Sequence, residues 1–356
     1  MTRVIGRRES AGATGPLGRY VARDGSDGVE VALDLERPHA GLVVGKRGTG
    51  KSYTLGVLAE NLADAPGVTG VVADPMGVFA PLATEGAARL VATPQVAADA
   101  LPPPAWCDLF GVDPTSPVGS LLWRAAAETT TLAGMRSHVE TATVRDETRR
   151  AALNYLDLAA SWSVFDPDGV TARDLLAADA TVLDLSGLDA APMNAVVRAV
   201  AAALYRVAVA ERVRPLPWLL VDEAHAFVDA GRESDASASG AVADPALRRL
   251  LTRGRTPGVS VVLATQRPSA LPAVAVSQAD LLVAHRLTAQ ADVDALARAR
   301  PTYLAGPSLA ERLPDETGVA VVVDDTTERV HTVRVRERRT SHGGRSPRAS
   351  ESETAE

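Results

Sequence analysis

Gly45-Lys46-Arg47-Gly48-Thr49-Gly50-Lys51-Ser52 is the stretch on which the fold of this chain turns. It fits G-x-x-x-x-G-K-[ST], a loop whose glycines let the backbone turn tightly and aim successive N–H groups at a phosphate chain. Residues 41–44 ahead of it read as a buried strand. Residues 52–65 behind it read as a helix, with Leu55, Leu58 and Leu62 on one face. Strand, loop and helix in that order place an anion site at a helix N-terminus, where the partial positive charge of the helix adds to the loop amides.

A second stretch gives the loop a partner. Trp218-Leu219-Leu220-Val221-Asp222-Glu223 is an apolar run that ends in two acids. A buried parallel strand carries such acids at its C-terminal edge, where ligands bind in open α/β sheets. About 170 residues downstream of a phosphate loop, this is the Walker B pattern. Together the two stretches predict a site for ATP and Mg²⁺. Gly45, Lys46, Arg47, Gly48, Thr49, Gly50, Lys51, Ser52 and the adjoining Tyr53 form the nucleotide-binding set. Lys51 is expected to reach the β- and γ-phosphates. Ser52 and Asp222 are expected to hold the metal, and Glu223 to orient and polarise the attacking water.

Composition bounds the rest. The chain has 356 residues, 46% of them hydrophobic and only 4% aromatic, so Ala, Val and Leu must build the core. A net charge of −7 disfavours a strongly basic nucleic-acid glove but permits a local basic channel. The only two lysines, Lys46 and Lys51, both lie in the phosphate loop. The lone Cys107 leaves no internal disulfide and suits a reducing compartment. No run of 18 apolar residues predicts a membrane span, and the N-terminus has no signal-like apolar region, so a cytoplasmic location is expected.

Along the chain, residues 1–39 predict an N-terminal β-hairpin and residues 40–336 an α/β domain. Residues 96–178 interrupt that domain as a mainly helical insertion, and residues 337–356 read as a disordered tail. Residues 68–73, 181–185 and 259–266 predict further strands, and residues 318–323 and 329–335 a closing hairpin. Residues 231–240, rich in Ser, Gly and Ala, predict a mobile polar loop just past the acidic strand.

With these motifs in order, the chain resembles the HerA/FtsK superfamily of P-loop ATPases, most of all HerA-like DNA translocases. Asp74-Pro75-Met76-Gly77 is similar to the acidic strand end that follows the P-loop in those chains. Leu219-Leu220-Val221-Asp222-Glu223-Ala224-His225 looks like their Walker B strand with its Ala-His extension. The most specific likeness is Arg253-Gly254-Arg255-Thr256-Pro257-Gly258, followed by a strand that ends Ala264-Thr265-Gln266-Arg267-Pro268-Ser269. The resemblance covers roughly residues 17–335 and implies a RecA-like fold with a mainly parallel sheet. It implies Gln266 as the sensor of the γ-phosphate and Arg255 as an arginine finger acting on a neighbouring subunit, with Arg253 and Arg286 as competing candidates. It also implies a homo-oligomer, a hexameric ring around double-stranded DNA, and a nuclease as possible partner. Two departures stand out: about 40 residues precede the P-loop, and Gly77-Val78 replaces the usual Gly-Glu. A nucleotide-dependent switch or scaffold in a defence, replication or secretion complex is the alternative reading.

Overall fold

The computed structural model describes residues 2–7, 11–86, 88–228, 242–298 and 309–343. Its strands are β1 (Arg3–Ile5), β2 (Thr14–Val21), β3 (Asp27–Asp34), β4 (Ala40–Val44), β5 (Val68–Asp74), β6 (Ala88–Val91), β7 (Ala180–Asp184), β8 (Leu216–Val221), β9 (Ser260–Thr265), β10 (Leu281–Ala284), β11 (Val319–Asp324) and β12 (Arg329–Val335). They form one 12-stranded sheet in the order β1-β3-β2-β12-β11-β10-β4-β9-β8-β5-β7-β6. The seven strands from β10 to β6 run parallel, and β11, β12, β2 and β3 continue the sheet in antiparallel pairs. The fold is therefore the expected α/β P-loop architecture.

Alternation along the central strands divides the core in two. Leu42, Val71, Ala73, Leu219, Val221, Val261 and Leu263 face one side of the sheet. Val43, Val72, Trp218, Leu220, Val262 and Ala264 face the other. Both faces of these strands are buried, which is why they read as continuous apolar runs.

The helices are α1 (Lys51–Asp64), α2 (Pro81–Thr84), α3 (Pro103–Phe110), α4 (Pro117–Glu128), α5 (Leu132–Thr141), α6 (Asp146–Ser161), α7 (Ala172–Leu176), α8 (Ala190–Glu211), α9 (Asp244–Arg253), α10 (Ala273–Ser277), α11 (Gln290–Arg298) and α12 (Leu309–Arg312). The stretch between β6 and β7 is mainly helical. It gathers Trp106, Phe110, Tyr155, Trp162 and Phe165 into one aromatic cluster. Ser116 and Thr131 cap α4 and α5 by accepting from Gly119 N and Gly134 N. By length and composition α8 could cross a membrane, yet 50% of its most apolar window is buried inside the protein, as in a core helix.

Three features differ from the sequence reading. The N-terminal hairpin continues the central sheet, because β2 pairs with β12. Its attachment is polar and long-range: Asp34 meets Arg7 at 3.3 Å and His39 at 3.6 Å, and His39 reaches Asp280 at 3.0 Å. The edge strand β6 was missed, since its four residues carry Arg89 and show no clean alternation. Residues 337–343, expected to belong to a disordered tail, are packed onto the fold. They cross α1 as a strap, because α1 presents the buried Glu60 to them. Glu60 accepts from Arg339 N, Thr340 N and Thr340 Oγ1, and pairs with Arg336 at 2.8 Å. Such a carboxylate is not visible as an anchor in a linear reading of the tail.

Candidate nucleotide site

The P-loop leaves β4 and enters α1 directly. Gly48 and Gly50 adopt positive φ of 78° and 121°, values that side-chain-bearing residues rarely take. No side chain caps α1 and no acid stands in its first turn, so its amide end is left for an anion. Thr49 donates to Lys46 O at 2.8 Å and holds the loop closed. Arg47 is exposed.

Strand order brings the acids to this loop. β9 lies between β4 and β8, so the end of β8 stands one strand away from the P-loop. Ser52 Oγ donates to Asp222 Oδ2 at 2.7 Å, across 170 residues of sequence. The hydroxyl and the carboxylate are two hard oxygen donors in contact, which fits Mg²⁺; that ion takes few protein ligands and completes its shell with water and phosphate oxygens. Among the described residues no group of three or more His, Cys, Asp or Glu could hold a metal by itself.

Burial sets the charge states. Lys51 is 5% exposed; desolvation pulls its pKa down while Glu223 and Asp222 oppose the fall. Asp222 is 1% exposed, and burial raises its pKa against the Ser52 hydrogen bond. A divalent cation at this pair would relieve that cost. Burial and then the Asp222 charge raise Glu223 as well.

Glu223 sits at a φ of 45°, the left-handed region, where a non-glycine residue is strained. That turn swings its carboxylate off the strand axis. Its Oε2 is buried with no hydrogen-bond donor, 3.3 Å from His225 Nδ1. His225 Nδ1 also lies 3.3 Å from Thr265 Oγ1, so it bridges the ends of β8 and β9. Gln266 follows β9 immediately, half-buried, between the P-loop strand and the acidic strand.

One contributor has no signal in the sequence. His285, 0% exposed, follows β10 and lies beneath the loop. A Cβ on Gly45 would come within 2.7 Å of the His285 Cβ, and one on Gly50 within 3.2 Å of its Cε1. Packing therefore demands glycine at position 45, while at position 50 the positive φ is the stronger requirement. His285 Nδ1 donates to Val319 O at 3.0 Å, so Nε2 must accept from Thr54 Oγ1 at 2.9 Å. Burial pulls its pKa down to about 4, and the ring is neutral. Asp74, in the acidic strand end that the resemblance singled out, accepts through its carboxylate from Met76 N, Val78 N and Phe79 N. It shapes the loop beside the site, and burial raises its pKa to about 6. A histidine after a strand carries no motif that distinguishes it from an ordinary residue.

The arginine candidates separate by position. Arg286 lies at the P-loop edge, its carbonyl accepting from Lys46 N at 2.8 Å. Arg253 and Arg255 lie before β9, a strand length of about 20 Å from the end that carries Gln266. Arg255 rests 3.5 Å from Asp280, at the strand end away from the P-loop. Arg212, Arg214, Arg253 and Arg255 share an open groove of about 900 Å³ with Glu36. The loop at 231–240 lies outside the described residues.

The helicase HerA, central domain, family profile matches residues 16–204. VirB4 of Thermoanaerobacter pseudethanolicus superposes with a TM-score of 0.67 at 17% identity, over 92% of this chain and 97% of that one. The bacterial conjugative coupling protein TrwBdeltaN70, in complex with sulphate, superposes with a TM-score of 0.53 at 15% identity, over 86% of each chain. These likenesses speak for the fold. No curated protein matches the chain in sequence.

Proposed function

Because this chain belongs to the helicase HerA central-domain family of P-loop ATPases, we propose that it is an ATP-hydrolysing motor that moves double-stranded DNA through an oligomeric ring. The observation that carries the reading is the 2.7 Å contact between Ser52 and Asp222, with Glu223 turned beside it. It joins a phosphate loop, a metal-holding pair and a water-positioning carboxylate at one strand edge.

In this reading the loop amides and Lys51 bind the β- and γ-phosphates and neutralise charge as it moves. Ser52 and Asp222 hold Mg²⁺, which supplies Lewis acidity to the phosphate oxygens when bound. Glu223 orients a water in line with the γ-phosphorus and draws on its proton, and His225 packs beside it. Gln266 donates its amide to the γ-phosphate and registers its loss. Arg255, on the opposite edge of the sheet, completes the site of a neighbouring subunit; Arg253 beside it is the alternative finger. A finger on one edge and a P-loop on the other favour head-to-tail assembly, which closes into a ring, six-membered by family resemblance.

The net charge of −7 restricts DNA contact to local arginines, so binding should be strongly salt-dependent and without sequence preference. The test is the ATPase rate with and without double-stranded DNA, paired with mass measurement in solution. Turnover stimulated by DNA in an oligomer supports the motor. If DNA neither binds at low salt with nucleotide present nor stimulates turnover, a nucleotide-dependent switch or scaffold replaces it.

A further inference from the structure

We propose that the corner between the rings of Tyr53 and His342, backed by Arg338, is the subsite for the base of a purine nucleoside triphosphate. The proposal rests on the nucleotide-binding reading of the P-loop and names what holds the other end of the ligand.

Tyr53 follows Ser52 on the first turn of α1, the turn that faces the phosphates, and its side chain is only half-buried. The strap fixes it. Its hydroxyl accepts from Arg338 N at 2.7 Å, and the Arg338 guanidinium lies 6.0 Å from its ring centroid. The Arg338 side chain is 1% exposed, near Glu60 and 6.0 Å from the Phe79 ring, so the guanidinium is a wall rather than a mobile surface group. Beyond it the strap turns to place His342 6.0 Å from the Tyr53 ring at an interplanar angle of 66°. Gly343 N then donates to Val78 O, in the loop that Asp74 shapes.

His342 itself is exposed, with Arg338 Nη1 3.2 Å from its Nδ1. A flat ring is thus presented to solvent at the end of a strap anchored by a buried carboxylate. Its partner ring places it near the site, since Tyr53 adjoins Ser52 on the first turn of α1. Desolvation and the Arg338 charge lower the His342 pKa, which favours the neutral imidazole that stacks well on a base. Aromatic platforms hold a base by its π-face and read little of its exocyclic edge. The corner should therefore accept ATP and GTP comparably and reward a base over a bare triphosphate.

Titration calorimetry of the full chain with Mg²⁺ compares ATP with inorganic tripolyphosphate. His342→Ala, at an exposed position, should weaken ATP about tenfold, within the range of one lost base–aromatic stack, and leave tripolyphosphate unchanged. His342→Phe, which restores a ring but not the Arg338 contact, should retain ATP affinity. An unchanged ratio of ATP to tripolyphosphate affinity in His342→Ala would overturn the subsite and leave the strap as a brace on α1. If the wild-type chain binds neither ligand, the nucleotide reading falls and the subsite falls with it.

Discussion

Replacing His285 by Ala tests whether the P-loop is held from below. The ring is fully buried between Thr54 and Val319 O, with both nitrogens hydrogen-bonded. Its removal leaves a hydroxyl and a carbonyl without partners, each costing about 1–3 kcal/mol, beside a cavity where the loop glycines packed. We expect a loss of about 4 kcal/mol, a large part of the roughly 5–15 kcal/mol typical of a domain. Urea denaturation at pH 7.5 measures it. Titration adds an independent signature. The folded pKa of about 4 lies below the ordinary value of 6.5, so the ring is neutral in both states above pH 6.5. As pH falls from 6.5 through 4, the unfolded chain takes up a proton that the folded chain refuses. Stability should then fall by about 3 kcal/mol, at 1.36 kcal/mol per unit of difference in pKa. That part of the acid slope should be absent in His285→Ala. A variant with wild-type urea midpoint and wild-type acid slope would refute the reasoning.

Further outcomes follow from the same geometry. Lys51→Ala should weaken nucleotide binding and turnover together, whereas Glu223→Gln should keep ATP bound and slow hydrolysis by about 10²-fold or more, as read by calorimetry and phosphate release; equal turnover in Glu223→Gln and wild type would remove Glu223 from the mechanism. Mixing Arg255→Ala with Glu223→Gln chains should restore part of the ATPase rate, since some interfaces then contain both intact halves; mixed oligomers that form without recovery would count against a finger in trans. Burial works against the charge on His39, but Asp280 and Asp34 outweigh it and raise its pKa to about 9. Its contribution to stability is therefore complete below pH 6.5 and lost as pH rises through 9, and denaturation midpoints in that window should flatten in His39→Gln.

The sequence by itself determined the nucleotide machinery. Gly45 through Ser52 and the run into Asp222 and Glu223 are local patterns, because a phosphate loop and a buried strand each draw their geometry from consecutive residues. The parallel strands were legible for the same reason: with both faces buried, residues 68–73, 181–185 and 259–266 read as apolar runs. What the tertiary structure decided was which distant groups meet. Strand order, with β9 between β4 and β8, brought Ser52 onto Asp222 and put Arg255 at the opposite edge from the P-loop of its own chain. His285 came under the loop because β10 pairs with β4, and the apparent tail became a strap because Glu60 was buried within reach of three arginines. A lone histidine or glutamate has no periodicity to announce it. Its role is fixed by burial and by partners hundreds of residues away, and those exist only once the chain has folded.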